Sequence, residues 1–96
     1  HLSQDGLIVA VCSIDAASGK VVSGPDIVSR GFVYVRESEA LMDEARDLVY
    51  NTLEECVRQH VREWSSMKQS IKDELSRFLY QKTRRSPMIL PIIMEV

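Results

Sequence analysis

The chain opens with an unbroken apolar run, Leu7-Ile8-Val9-Ala10-Val11-Cys12. The run is rich in β-branched residues and too short for most helices, so it predicts a strand. It lacks alternation, which predicts that both faces of that strand are covered. Asp15–Lys20 reads as a hairpin loop in which Gly19 takes the left-handed conformation. Val21-Val22 resumes the sheet, and Gly24-Pro25 interrupts it because proline has no N–H for the ladder. Asp26–Ser29 continues as an irregular or edge segment. Gly31 marks a further bend, and Phe32-Val33-Tyr34-Val35 is strand-like again.

The period then changes from strand to helix. Ser38 is a good N-cap, with Glu37 and Glu39 placing negative charge at the helix start. Leu41, Ala45, Leu48, Val49, Thr52, Cys56, Val57 and Val61 follow helical spacing and predict about six turns. Trp64-Ser65-Ser66 breaks the pattern. Ser66 with Gln69 fits a capping box that starts a second helix, whose apolar face is Met67, Ile71, Leu75, Phe78 and Leu79. Lys82, Arg84 and Arg85 suit the C-terminal dipole, and Pro87 stops the helix. Met88-Ile89-Leu90-Pro91-Ile92-Ile93-Met94 predicts a last strand, in which Pro91 implies an edge position or a bulge.

The order β-β-α-α-β predicts an α+β fold: a small three-stranded sheet with two helices packed on one face. Residues 1–5 read as the end of a linker and 6–96 as one domain. Two helices cover only one side of a sheet, yet the first and last strands are apolar on both. An apolar surface of that kind marks an interface. Self-association or docking on another domain is therefore expected through strand positions such as Ile8, Ala10, Met88, Leu90 and Ile92. The parity that faces the helices is left open.

Composition narrows the function classes. Ninety-six residues with 45% apolar and 27% charged content form one ordinary globular domain. A net charge of −2 argues against a basic face all round, but not against one basic patch. Cys12 and Cys56 read as reduced core residues of a cytoplasmic protein. No apolar run approaches the ~20 residues that span a bilayer, and none reads as a signal peptide. The chain begins with His1 rather than Met, as a piece of a longer protein would.

Candidate chemistry is sparse. Cys56 and His60 are four apart on one helix face, but zinc takes three or four ligands and nothing clusters with this pair. No nucleophile elbow occurs. Glu54-Glu55 and Asp73-Glu74 are more simply solvated helix positions. No catalytic residue, metal site or cofactor is therefore assigned to this segment. Arg30-Gly31-Phe32-Val33-Tyr34 partly matches the aromatic strand of an RNA-recognition motif, with Val33 where that motif wants Gly or Ala. Phe32 and Tyr34 are read as core. Arg77, Lys82, Arg84 and Arg85 form the one basic cluster. Arg30, Lys82, Arg84 and Arg85 are the candidate RNA contacts.

Three blocks carry a family resemblance: Ser-Gly-Pro-Asp-Ile-Val-Ser-Arg-Gly-Phe-Val-Tyr-Val-Arg-Glu-Ser from Ser23, Phe-Leu-Tyr-Gln-Lys-Thr-Arg-Arg from Phe78, and Pro-Met-Ile-Leu-Pro-Ile-Ile-Met-Glu-Val from Pro87. Together they resemble the C-terminal domain of bacterial ribonuclease J, over about Asp5 to Val96. The resemblance implies a parent with metallo-β-lactamase and β-CASP domains. Such a parent is a zinc-dependent hydrolase that cuts RNA internally and degrades it from the 5′ end during RNA processing and decay. It further implies that this domain supports a homodimer or higher oligomer, with the catalytic domains of the same chain and RNA as the parent's partners. The family's zinc ligands lie in motifs that are absent here, so no site residue carries over. The alternative is an RNA-contacting module working through the basic cluster.

Overall fold

The computed structural model describes residues 5–31 and 38–96. Five elements follow in chain order: β1 (Leu7–Ile14), β2 (Val21–Arg30), α1 (Ser38–Arg58), α2 (Trp64–Thr83) and β3 (Met88–Glu95). The strands form one sheet in the order β2-β1-β3, with β1 antiparallel to β2 and parallel to β3. This is the expected α+β arrangement. The expected strand at Phe32–Val35, the packing of Phe32 and Tyr34, and the Glu37 part of the first cap lie outside the described residues.

The core collects one parity of each strand and one stripe of each helix. Ile8, Ala10, Cys12 and Ile14 of β1 are buried, as are Ile89 and Ile93 of β3. Leu41, Ala45, Val49 and Leu53 come from α1 at steps of four, with Cys56 one turn on. Met67, Ile71, Leu75 and Leu79 come from α2 at the same step. A step of four keeps side chains on one helix face, so each stripe meets the sheet along its length. α1 packs against β2, α2 against β3, and the helices against each other.

Both helix boundaries between α1 and α2 differ from expectation. α1 ends at Arg58, because His60 adopts a left-handed φ of 59°. Val61 N–H donates to Cys56 O (2.8 Å) and His60 N–H to Val57 O (3.1 Å). These two bonds make a Schellman motif with His60 at the left-handed position. α2 begins at Trp64 with Glu63 as the residue before it, and no side-chain cap bond is made. Ser66 lies inside the first turn and its hydroxyl donates to Glu63 Oε1 (3.1 Å), so the expected capping box is not formed. At its other end α2 stops before Pro87. Arg84 turns left-handed (φ 59°) and its N–H donates to Tyr80 O.

The β1–β2 hairpin is closed by Asp15, whose N–H donates to Lys20 O (2.8 Å) and whose Oδ2 accepts from Ser18 N–H (2.8 Å). The hydrogen bonds from Ser18, backbone N–H first, hold the Asp15 carboxyl below the usual carboxylate range. Arg62, in the link between the helices, donates to Ala16 O (3.0 Å) and Ala17 O (3.3 Å). It lies so close that a Cβ on Gly19 (φ +78°) would stand 2.9 Å from its Nε. The loop therefore needs glycine at position 19 for both backbone and space.

Pro91 is explained by the ladder. Met88 N–H donates to Gly6 O and Val96 N–H to Ile14 O. Backbone groups alternate sides along a strand, so residues of that parity bond β1 while those at 89, 91, 93 and 95 face the outer edge. Pro91 thus lacks an N–H that would have pointed away from the sheet. β3 is an edge strand, as expected, and its edge is interrupted at the centre.

Candidate functional site: the open face of the sheet

The face away from the helices is set by register. Leu7 is opposite Met88, Val9 opposite Leu90, Val11 opposite Ile92 and Ser13 opposite Met94. On the other side of β1, Leu7 is opposite Arg30, Val9 opposite Val28 and Val11 opposite Asp26. Paired residues share a face. The odd positions of β1 therefore join the even positions of β2 and β3. Leu90 is 48% exposed, and Met88, Ile92, Met94 and Val28 are exposed as well. Leu7, Val9 and Val11 are half-buried between them. The result is a continuous apolar surface, three strands wide, with Asp26 and Arg30 along its β2 margin.

The candidate interface residues divide between the two faces. Met88, Leu90 and Ile92 lie on the open side. Ile8 and Ala10 do not: both are 0% exposed and lie beneath the helices. The cause is the one-residue offset of the parallel pairing, which aligns Leu7, not Ile8, with Met88. Leu7, Val9, Val11, Val28 and Met94 belong to the surface and were missed. Parity is open from sequence alone, because the pairing register that sets it is not written locally.

The candidate RNA contacts gather at one end. Arg30 closes β2 opposite Leu7, and Arg84 and Arg85 precede Met88, which pairs with Leu7 on its other side. Their charge is partly committed. Lys82 Nζ is 3.5 Å from Glu44 Oε1 and 5.9 Å from the Phe78 ring centre. The Arg84 guanidinium lies 5.3 Å from the centre of the Tyr80 ring. Arg30 donates to Ser29 O (3.1 Å).

Cys12 is buried, and burial, with a smaller contribution from Asp26, pushes its thiol up to about 11. Burial raises Cys56 as well, against a hydrogen bond with Ser70. Both stay protonated near neutrality, the form that neither attacks nor binds metal readily. His60 is exposed beyond the end of α1, so it does not share a helix face with Cys56. No cluster of three metal-ligating side chains occurs among the described residues. A groove of about 550 Å³ runs between the helices, lined by Glu55, Arg58, Glu74 and Arg77 among others. Those four are paired within their own helices, Arg58 with Glu55 and Arg77 with Glu74. Among the described residues no helix is long and apolar enough to cross a membrane.

Comparison with known proteins shows the family of this chain. The chain matches the family described as Ribonuclease J C-terminal domain over residues 1–96. It is 52% identical over 95 residues to Ribonuclease J2 of Bacillus subtilis (strain 168), covering 99% of this chain and 17% of that protein. It is 45% identical over 95 residues to Ribonuclease J 2 of Staphylococcus saprophyticus, with the same coverage of each. Identity to Ribonuclease J 2 of Staphylococcus aureus (strain NCTC 8325) is 43% over 95 residues, again 99% of this chain and 17% of the relative. The chain thus spans about a sixth of the length of these relatives. A match over the whole chain, together with the β-β-α-α-β order, means that it belongs to the ribonuclease J C-terminal domain family.

Proposed function

We propose that this chain is the accessory domain of a ribonuclease J and that its own task is assembly, performed by the open face of the sheet. The observation that carries this reading is the unpartnered apolar surface of Val9, Val28, Leu90 and Ile92 opposite the helix layer. Exposed apolar surface of that continuity is unfavourable in water and is covered in a working assembly. The interrupted edge at Pro91 disfavours strand addition there and leaves the face as the docking element. The parent would be a zinc-dependent, cytoplasmic hydrolase that cuts RNA internally and from the 5′ end. Its metal would be held in its catalytic domain and none by this chain. Its partners would be further copies of itself, its own catalytic domains and RNA.

The face alone makes a modest interface. Three strands about 4.8 Å apart and about eight residues at about 3.3 Å each cover roughly 350 Å² per partner, below the ~800 Å² of a standard interface. Self-association of the isolated chain is therefore weak and is read at high concentration. The test is Leu90→Glu, followed by sedimentation velocity. A charge at the centre of the face should weaken association at least about thirtyfold, as at an interface hot spot. Unchanged association by a folded Leu90→Glu chain overturns the reading. The RNA-contacting alternative is tested on the same sample, by RNA binding at low and high salt. Tight, salt-sensitive binding lost in an Arg84→Glu, Arg85→Glu variant would favour it. The chain alone, with or without added zinc, should not cleave RNA.

A further inference from the structure

We infer that the flank of α2 turned away from α1 binds single-stranded nucleic acid, with Trp64 and Tyr80 stacking on bases and Lys68, Lys72 and Arg84 meeting phosphates. The site is a line of side chains four residues apart: Trp64, Lys68, Lys72, Ser76, Tyr80 and, at the C-terminal cap, Arg84. From Lys68 to Tyr80 each member follows a buried residue of the core stripe by one position, after Met67, Ile71, Leu75 and Leu79. The line therefore keeps a constant offset of about 100° from the core and stays on one flank along the helix. The opposite flank faces α1. Ser70, Glu74 and Arg77 line the groove between the helices, and Lys82 reaches Glu44 of α1.

Charge separates the two flanks. On the α1 side Arg77 pairs with Glu74 and Lys82 with Glu44. On the outer line Lys68, Lys72 and Arg84 form no ion pair among the described residues, and no position of the line is acidic. Asp73, in the adjoining row, accepts from Gln69 Nε2 (2.9 Å). Trp64 and Tyr80 are 41% and 48% exposed, so two large rings of this line stand open to water. Each has a cation one turn on. Lys68 Nζ is 5.9 Å from the Trp64 ring centre, and the Arg84 guanidinium lies 5.3 Å from that of Tyr80. A cation–aromatic pair on a helix surface stabilises the helix slightly. That role does not account for an acid-free line in which Lys72 has no ring beside it.

An open ring beside an unpaired cation offers the two contacts a nucleotide takes: a π-face for the base and a charge for the phosphate. Trp64 and Tyr80 are sixteen residues apart, about 24 Å along the axis at 1.5 Å per residue. Separate bases of one strand therefore meet them, with Lys68 and Lys72 in between. A duplex cannot use the rings, because its bases are already paired and stacked. An acidic peptide would meet the cations and leave the rings without stacking partners. A membrane surface would need an apolar helix face, and that of α2 is buried in the core. The net charge of the chain is −2, so attraction comes from this segregation of charge and not from the surface as a whole. The site lies in the helix layer, not on the open face of the sheet, and shares only Arg84 with the candidate contacts at the strand end.

Trp64 is the one tryptophan of the chain, so its fluorescence reads the site directly. The test is titration of the 96-residue chain with oligouridylate and with oligodeoxythymidylate of about twelve nucleotides, at about 50 mM and about 200 mM salt. Both should quench Trp64 saturably, because stacking and phosphate contacts do not read the sugar. The salt slope should be about −2, as for three phosphates neutralised on a single strand. A duplex of the same length should bind at least about tenfold more weakly. Tyr80→Ala should weaken binding about tenfold, and Lys72→Gln about threefold with a slope shallower by about 0.7. Both residues are exposed, and unchanged thermal melts establish that the variants fold. Absence of quenching, a duplex that binds as tightly, or variants that bind like the unaltered chain overturn this site. So does binding lost in Arg30→Gln or Lys82→Gln but kept in Lys72→Gln, which would place the contact at the strand end. Leu90→Glu should leave the quenching unchanged, so this inference and the assembly reading fail separately.

Discussion

The two faces of the sheet are built from the same residue types and do different things. Ile8, Ala10, Cys12 and Ile14 point one way from β1 and are sealed by thirteen-residue-deep stripes of α1 and α2 from Leu41 to Leu53 and from Met67 to Leu79. Leu7, Val9 and Val11 point the other way and meet no further layer among the described residues. Hydrophobic composition does not separate the faces; the presence of a second layer does. One face holds the fold together, and the other, on the proposed reading, is reserved for a partner. Removing an apolar side chain should therefore cost stability on the first face and association on the second.

The two faces should differ most in the cost of Leu53→Ala and of Leu90→Ala. Leu53 is 0% exposed, and truncation leaves a cavity worth about 2–5 kcal/mol by urea unfolding. Leu90→Ala should change the same measurement by less than about 1 kcal/mol, because no packed layer is lost above it. Equal costs would mean that the faces are not distinct in the monomer.

The next effect is a pH dependence confined to the covered face. Burial raises the Cys12 thiol to about 11, against 9.0 in an exposed chain. The raised value means that its share of stability is intact below pH 9 and is lost as pH climbs from about 9 towards 11. The unfolded thiol ionises first, so the loss is on the order of 2–3 kcal/mol by the upper end. Stability measured across that range should fall less steeply in Cys12→Ala. Parallel curves would remove Cys12 as a contributor.

Two smaller effects test the supports at the far end of the molecule. Gly19→Ala should cost about 1–2 kcal/mol, from a left-handed backbone and a crowded Arg62. Its cost should shrink in an Arg62→Ala background, because the Cβ then has no guanidinium to displace. His60→Gly should stabilise the chain by about 0.5 kcal/mol, since the left-handed position of the Schellman motif favours glycine. No change in thermal midpoint would mean that His60 bears no strain there.

Much of this architecture was legible in the sequence, for definite reasons. The run from Leu7 to Cys12 and the run from Met88 to Met94 are too short and too β-branched for helices. The four-residue steps through Leu41 to Leu53 and Met67 to Leu79 admit little else. Pro91 announced an edge, and the ladder shows that its absent N–H faces outward. What could not be read was parity. β1 is apolar at every position from Leu7 to Cys12, so period two carries no contrast there. Ile8 and Ala10 were consequently placed on the same surface as Met88, Leu90 and Ile92, which the register forbids. The boundaries between the helices were missed for a similar reason. Ser66 looks like a cap by composition, but helical bonding already begins with Met67 N–H donating to Glu63 O. A left-handed histidine ending α1 has no distinctive local signal.

On the proposed reading, the open face is the surface through which copies of this chain meet. It is tested most directly by methyl NMR during dilution of the unaltered chain from about 1 mM, where a weak dimer of about that dissociation constant is still populated. The predicted result is concentration-dependent shifts of Val9, Val28, Leu90 and Ile92 methyls, with Ile8, Leu53 and Ile71 unmoved. Shifts that cluster on the outer surfaces of the helices, or no shifts at all, would contradict it.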